Sequence, residues 1–544
     1  MPSPRPKLRV AVFTADANLE STEWWRLLAE DSHVEQIIVV RVVQRRDLRM
    51  IASRARRNIR RHGLVFIPYR LGHALLGAVR RLRGGHPDPE GAPGRASAPH
   101  SCVEAADIHS DEVVRRLAEW SPDIGFAIGA PVLRERLFSL PRLGTLNLHL
   151  GQVPYFRGAP PGFWELHEGA TEIGATVHFV NAGLDTGPVV ASATAPLYTK
   201  DDFADVEARV HELGRAVFSN ALRRVFAGDA TAIAQPVGGR TFRQPLVAVR
   251  LGLSVRLLRQ QLARTVLRPV WLAKSGAAAA ALMFVRPLRD LWRSARGVHP
   301  VRIFTYHRVS ELCRDGMTIS QRSFRDQVDY LARTHRVLPL EAALDLLKAK
   351  ERLFRPVAVI TFDDAYLSVW EEAAPILARA GLPATVFVST GMVDTNRRFE
   401  HDESSPVREF LSCMTWGHLE RLVASGWSLG AHTANHVRLS ETPSSAYFDE
   451  IEQPLRVLRE RIGAKDLTLA YPFGQETDIS SAAIEAARAA GYCACFSDSG
   501  GENPPTDGEQ FEYRRIDVGG DHPILSWKAM IHGFRLNRYR WNRT

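Results

Sequence analysis

Asn147 and His149 alternate with leucines in "TLNLHLGQVPYFRGAPP" (145–161). In an extended strand the two polar side chains share one side and the leucines take the other. The pair is either a satisfied polar spot at a sheet edge or two arms of a reaction centre. Further on, "GLDTGPVV" presents Asp185 in a turn between glycines. An acid flanked by glycine freedom and proline restraint suggests a carboxylate presented to a cleft. Together the three suit amide formation. Asn147 can donate to a developing oxyanion, His149 can take the proton of an attacking amine, and Asp185 can fix or charge-stabilise that histidine.

A second set lies in the other half. "VAVITFDDAY" (357–366) is a buried-strand run ending in Asp363 and Asp364. Neighbouring residues at a strand end point in different directions, so the two acids can take separate jobs. "GAHTANH" (430–436) sets His432 and His436 four apart, the reach of two imidazoles on one metal if that turn is helical. One carboxylate and two imidazoles leave a position open for water, the pattern of a catalytic metal, with the other Asp as base. The alternative is a set of acids and histidines that only cap loops.

These residues need two α/β frameworks. Residues 8–42 read β-α-β, with "RVAVF", the helical "ESTEWWRLLAE" and "QIIVVRVV". After a Pro/Gly/Ser-rich loop at 84–101, strands resume at "DIGFAIGA", "GTLNLHL" and "GATVHFVNA", followed by a helix near 203–227. A new series opens at 301 with "VRIFTYH", "VAVITFDDA", "ATVFVST", "WSLGAHT" and "TLAYPFG". The spacing predicts a first domain over 1–238, a basic amphipathic helical linker over 239–298 and a second domain over 299–544.

The chain of 544 residues is long enough for each domain to bury a core. Five cysteines form no disulfide framework, the start is strand-like rather than a signal peptide, and the longest apolar run, at 276–285, is too short to span a bilayer. A cytoplasmic protein is expected, with peripheral attachment at the inner membrane face left open by its charge. The net charge of +10 is uneven. Residues 45–83 hold twelve Arg against one Asp, and 240–296 hold eleven Arg and one Lys against one Asp. Basic segments with interleaved apolar residues suit an anionic membrane surface or an acidic partner, or are simply solvated helix faces. No nucleic-acid reading motif accompanies them.

Residues 8–235 resemble the formyltransferase family, which includes methionyl-tRNA formyltransferase and the sugar-nucleotide formyltransferases. The match lies in "LNLHLGQVPYFRGAPP" and "GLDTGPVV". The resemblance implies a Rossmann-like fold, N10-formyltetrahydrofolate as formyl donor and Asn147, His149 and Asp185 as catalytic residues. Gly158, Pro160 and "AIGAPV" would border the folate and acceptor site. The basic insertion at 43–100 and the absence of the tRNA enzymes' carboxyl-terminal barrel after 235 point away from tRNA. A small amine or amino sugar fits the acceptor better, and a polyprenyl-linked sugar is compatible with a membrane-seated linker.

Residues 299–535 resemble the polysaccharide deacetylase (NodB-homology) family, which implies a distorted (β/α) barrel. "TFDDAY" matches its first motif, with Asp363 as base and Asp364 as metal ligand. "HTANH" gives His432 and His436 as ligands. "YPFG" implies that Tyr471, Pro472 and Gly474 line the substrate groove, and "TYHRV" around His307 is familiar near the start of such domains. The divalent metal is zinc by ligand type, although this donor set accepts other ions. The family's third-motif arginine would fall near Leu469, and its late Leu-x-His general acid is not evident. Arg515 is a substitute for the charge, and His522 and His532 are candidates for the acid. The combination implies a bifunctional enzyme, an N-formyltransferase and an N-acyl hydrolase. The rival is a formyltransferase carrying a weakly catalytic, carbohydrate-binding second domain. Oligomeric state stays open.

Overall fold

A computed structural model of the chain describes residues 7–16, 19, 22–43, 56, 60–61, 99–266, 281–464, 466–504 and 510–533. Apart from 56, 60 and 61, the basic segment 45–83 lies outside the described residues. The chain divides into two compact units, Met1–Arg264 and Thr265–Thr544, a boundary inside the basic stretch 239–298. The helix Val247–Val266 lies on the first unit, where Arg256 donates to the carbonyls of Leu166 and His167. The helix Arg286–Arg296 packs on the second, where Arg289 donates to the His532 carbonyl. Among the described residues no helix is long and apolar enough to cross a membrane.

The first unit is built on a seven-stranded sheet. Its strands are β1 (Leu8–Thr14), β2 (Val34–Val42), β3 (His100–Ala105), β4 (Ile124–Ala127), β5 (Thr145–His149), β7 (Glu172–Phe179) and β8 (Val189–Pro196), in the order β3-β2-β1-β4-β5-β7-β8. β1 to β5 are parallel, in the order of a Rossmann-like half, while β7 and β8 return antiparallel. Runs such as Val10–Phe13 are buried because helices cover both faces of a parallel sheet. Two short strands, β6 (Arg157–Gly158) and β9 (Thr241–Phe242), pair with each other beside the carboxyl end of β5.

The second unit is a parallel, barrel-like sheet. It runs β19 (Glu512–Arg514), β18 (Ala494–Ser497), β17 (Thr468–Ala470), β16 (Ser428–Ala431), β15 (Thr385–Val388), β14 (Val357–Phe362), β10 (Val301–Tyr306) and β20 (Ile516–Asp517), with β13 (Arg336–Val337) added beside β14. A small pair, β11 (Arg308–Val309) and β12 (Thr318–Ile319), stands apart. The two edges meet in one stretch of chain, since β19 and β20 are separated only by Arg515. Val301, Ile303, Val357, Val359, Phe387 and Phe496 fill the interior with Leu340 and Leu344. Because neighbouring strands are parallel, their carboxyl ends share one rim. His307, Asp363, Asp364, His432 and Tyr471 each follow the last residue or two of β10, β14, β16 or β17. The barrel expected from the resemblance is therefore the fold observed.

Candidate functional sites

In the first unit Asp185 is the point of convergence. Asn147 Nδ2 donates to Asp185 Oδ1 (3.3 Å) and to His178 Nε2 (3.2 Å). His178 is the antiparallel partner of Asn147 across β5 and β7, and its Nδ1 donates to the Phe179 carbonyl (2.8 Å), which leaves Nε2 as acceptor. His149 Nε2 donates to the Phe156 carbonyl (2.8 Å), so its Nδ1 lone pair faces Asp185 Oδ2 at 3.6 Å. Burial holds the His149 imidazole below its ordinary range against the opposing pull of Asp185. Burial also acts to raise the Asp185 carboxyl, but His178, His149 and the Gly158 N–H outweigh it and keep it below the usual carboxylate range. A neutral imidazole with a free lone pair beside a carboxylate can accept a proton and have the resulting charge stabilised. His149 is thus oriented by a backbone carbonyl, not by Asp185. Both Nδ2 protons of Asn147 are engaged, so donation to an oxyanion requires giving up one of two long bonds.

The frame around Asp185 joins Gly158 and Arg157 of the motif to Gln235, which lies outside it. Asp185 has a left-handed backbone (φ 53°). Gly158 donates its N–H to Asp185 Oδ2 (3.0 Å), and a Cβ there would meet the Phe242 carbonyl oxygen at 2.0 Å. Gln235 Nε2 donates to the Asp185 and Gly187 carbonyls (2.9 and 2.8 Å), while its Oε1 accepts from Arg157 Nη2 (2.9 Å). Beside Gly158 is a small cavity lined by Leu150, Phe156, Pro160, Trp164, Glu165 and Phe242. Glu165 is 2% exposed, its Oε1 has no partner, and burial pushes its carboxyl up to about 7.

In the second unit Asp364, His432 and His436 bring one ligand atom each to within 4.8 Å of one another. His432 Nδ1 donates to the Ala470 carbonyl (2.8 Å), which turns the Nε2 lone pair to the site. His436 Nε2 is 3.3 Å from Asp364 Oδ1. Both Asp364 oxygens are buried without a hydrogen-bond partner. Burial opposes ionisation there, but His436, His432 and His401 hold the carboxyl down to about 2. An orphaned buried carboxylate beside two imidazoles, that of His432 with its lone pair turned to the site, fits a divalent cation. The turn carrying the histidines is not helical. Thr433 and His436 are left-handed (φ 58° and 57°), and Glu450 pins the turn by accepting from the N–H groups of Ala434 and Asn435. Of nine non-glycine residues with positive φ among those described, Asp185, Asp364, Ala365, Thr433, His436 and Phe473 lie in the two sites, where strain concentrates when function demands it.

Asp363 is held by a bidentate pair with Arg515 (both 2.7 Å), each fully buried. Burial pushes that carboxyl up, but Arg515 and His432 hold it below its ordinary range. Arg515 also meets Asp498, which accepts from Thr305 (2.9 Å) and sends its N–H to the Gly474 carbonyl (2.8 Å). Tyr471, Pro472 and Gly474 are buried, and Tyr471 sits wholly in the core. The residue this loop presents is Phe473, whose ring centroid is 4.8 Å from that of His436. The two acid candidates have partners of their own. His532 is 1% exposed, bonded to Tyr330 and pushed down by burial and Arg302. His522 interacts with Val518, Gly519 and Asp521 rather than with the ligand set. His307 instead acts electrostatically on Asp363, Asp364 and Asp517. His401, missed in the sequence, shares a short bond with the Tyr366 hydroxyl (2.7 Å) and lies 3.8 Å from Asp364.

Comparison with known proteins agrees with both halves. Residues 80–222 match the family model described as formyl transferase, and residues 350–495 match polysaccharide deacetylase. Methionyl-tRNA formyltransferase of Bacteroides fragilis is 30% identical over 133 residues, covering 24% of this chain and 41% of that protein. The enzyme of the same name from Mycolicibacterium gilvum is 32% identical over 165 residues, covering 28% and 53%. The chain thus spans about half or less of the curated relatives it matches. Among solved structures, IcaB from Ammonifex degensii shares 26% identity over 43% of this chain and 96% of that one, with a TM-score of 0.36. A sugar N-formyltransferase from Shewanella shares 14% over 43% and 76%, with a TM-score of 0.29. The chain carries a formyltransferase domain followed by a NodB-like polysaccharide deacetylase domain.

Proposed function

We propose that the chain is a bifunctional enzyme of amino-sugar acylation. The first unit transfers formyl from N10-formyltetrahydrofolate to an amine, and the second hydrolyses an N-acyl group with a bound divalent metal. The observation that supports transfer is the His149 Nδ1 lone pair facing ionised Asp185. As the amine attacks the formyl carbon, His149 takes its proton, Asp185 stabilises the imidazolium, and Asn147 turns a donor to the oxyanion.

Hydrolysis is supported by the buried Asp363–Arg515 pair beside the unsatisfied Asp364. Asp364, His432 and His436 would hold the metal, with zinc first by donor type. When bound, a divalent ion supplies Lewis acidity and lowers the pKa of water. Asp363, kept ionised by Arg515, takes a proton from the attacking water, and the leaving amine takes up that proton. A completed charge pair around the base favours hydrolysis over a second domain that only binds sugar.

Two schemes use both sites. Formyl is added and later removed, or another acyl group is removed and replaced by formyl. Purified protein, N10-formyltetrahydrofolate and a panel of amino-sugar nucleotides, followed by mass spectrometry, separate them. Transient formylation that Asp363→Asn makes permanent supports the first scheme, and stable formyl in both proteins supports the second. No formyl gain by wild type, or equal gain by Asn147→Ala, refutes the transferase assignment.

A further inference from the structure

The helix Arg286–Arg296 is inside out. Its charged side chains turn toward the body of the second unit. Arg286 pairs with Asp290 (3.0 Å) and lies over the Tyr330 ring, and Arg289 donates to the His532 carbonyl (2.7 Å). Arg293 shares Glu502 (2.9 Å) with buried Arg302. Solvent meets the apolar residues instead. Met283 and Phe284, in the turn Ala281–Val285 that leads into the helix, are each 66% exposed. Leu288 is 71% exposed, Leu291 68% and Trp292 51%. At 3.6 residues per turn, positions 284, 288, 291 and 292 form one stripe and 286, 289, 290 and 293 the opposite one. A surface helix of a water-soluble domain has the reverse arrangement. The patch is of the order of several hundred Å², a size that marks an interaction surface.

The electrostatics choose the occupant. Within the second unit, residues 265–296 hold five Arg and one Lys against one Asp. That Asp290 is already taken by Arg286, and exposed Arg296 lies 4.7 Å over the Trp292 ring. Among the described residues of the helix, the outward stripe therefore carries no acid and has exposed Arg296 beside it. We propose that this face docks on an anionic lipid bilayer. Phe284, Leu288, Leu291 and Trp292 enter the headgroup–acyl boundary, and exposed Arg296 reaches the phosphates by its long stem. The proposal is independent of either catalytic activity.

Flotation of the full chain with phosphatidylcholine vesicles, with and without phosphatidylglycerol, tests it. Wild type should float with the anionic vesicles, and Arg296→Ala should weaken partitioning about fivefold. Leu288→Glu/Leu291→Glu should lower it at least about tenfold without changing the melting temperature, because both positions are exposed. The double variant also separates this face from the basic segment 45–83. If it floats as well as wild type, the docking surface lies elsewhere and the proposal fails. It fails equally if wild type does not float, or if wild type self-associates in place of floating and the double variant is monomeric, which would make a second copy the occupant.

Discussion

Replacing Arg515 by Met keeps the volume and removes the charge. It leaves Asp363, 1% exposed, beside the His432 imidazole at 3.8 Å, and strips Asp498 of its guanidinium. Breaking a buried pair from one side costs about 3–5 kcal/mol, because the remaining charge is desolvated and uncompensated. Asp363→Asn should cost less, about 2 kcal/mol, since Asp498 still holds Arg515. The double variant should be more stable than the sum of the two, with a coupling of about 2 kcal/mol or more. The sign with pH follows from the direction of the shift. Asp363 is held below its ordinary value, so its contribution is complete above the unfolded carboxylate pKa of about 3.9 and disappears as pH falls through the lower folded value. Urea unfolding of the second unit, followed in chelator to remove metal linkage, should therefore separate Arg515→Met from wild type at pH 7 and bring them together in acid. In hydrolysis assays the acid limb of the pH profile should move upward in Arg515→Met, because burial then raises Asp363 with its largest opposing charge removed. Strictly additive single variants, or a wild-type midpoint for Arg515→Met at pH 7, would refute the reasoning.

Glu165→Gln should stabilise the first unit in alkali and do nothing near pH 4. The folded carboxyl stands at about 7 against 4.5, so its cost grows as pH rises between those values to about 3 kcal/mol, readable as melting curves at pH 4 and 8. Gln235→Glu should cut formyl transfer more than Gln235→Ala, roughly tenfold further, because it sets a carboxylate against the carbonyls of Asp185 and Gly187. Equal losses would mean that Gln235 only fills space. Elemental analysis of the dialysed protein should find one divalent ion per chain. His436→Ala should lose it, whereas His401→Ala should keep it, because the His401 Nε2 is committed to Tyr366.

What could be read from the sequence were features carried by neighbours in the chain. The alternation at 145–149 and the apolar run into Asp363 and Asp364 report strand period and strand end, and both hold in β5 and β14. His178 needed the β5–β7 register, which sets it opposite Asn147, and nothing local specifies that pairing. Gln235 and Arg157 are 78 residues apart and meet only because β6 pairs with β9. In the "YPFG" loop the left-handed Phe473 turns its ring toward His436, a backbone feature that residue spacing does not report. The basic stretch read as a linker was right in charge and silent on direction, since helical period alone does not say which stripe meets the protein.

The deacetylase resemblance places an arginine near Leu469, and the second unit delivers the same charge from another strand. Leu469 is fully buried, pairing with Ala431 on one side and Cys495 on the other. Arg515 stands instead between β19 and β20, in the stretch that ends one edge of the sheet and begins the other. A guanidinium at that seam can reach Asp363 only when β19 has paired with β18 and β20 with β10. Before that, Asp363 is a carboxylate at the end of a buried strand without a counter-ion, a state that burial disfavours. Closing the barrel and ionising the base are therefore coupled. The segment 512–517, which carries no recognisable motif, bears as directly on the chemistry as the two aspartates that first drew attention to it.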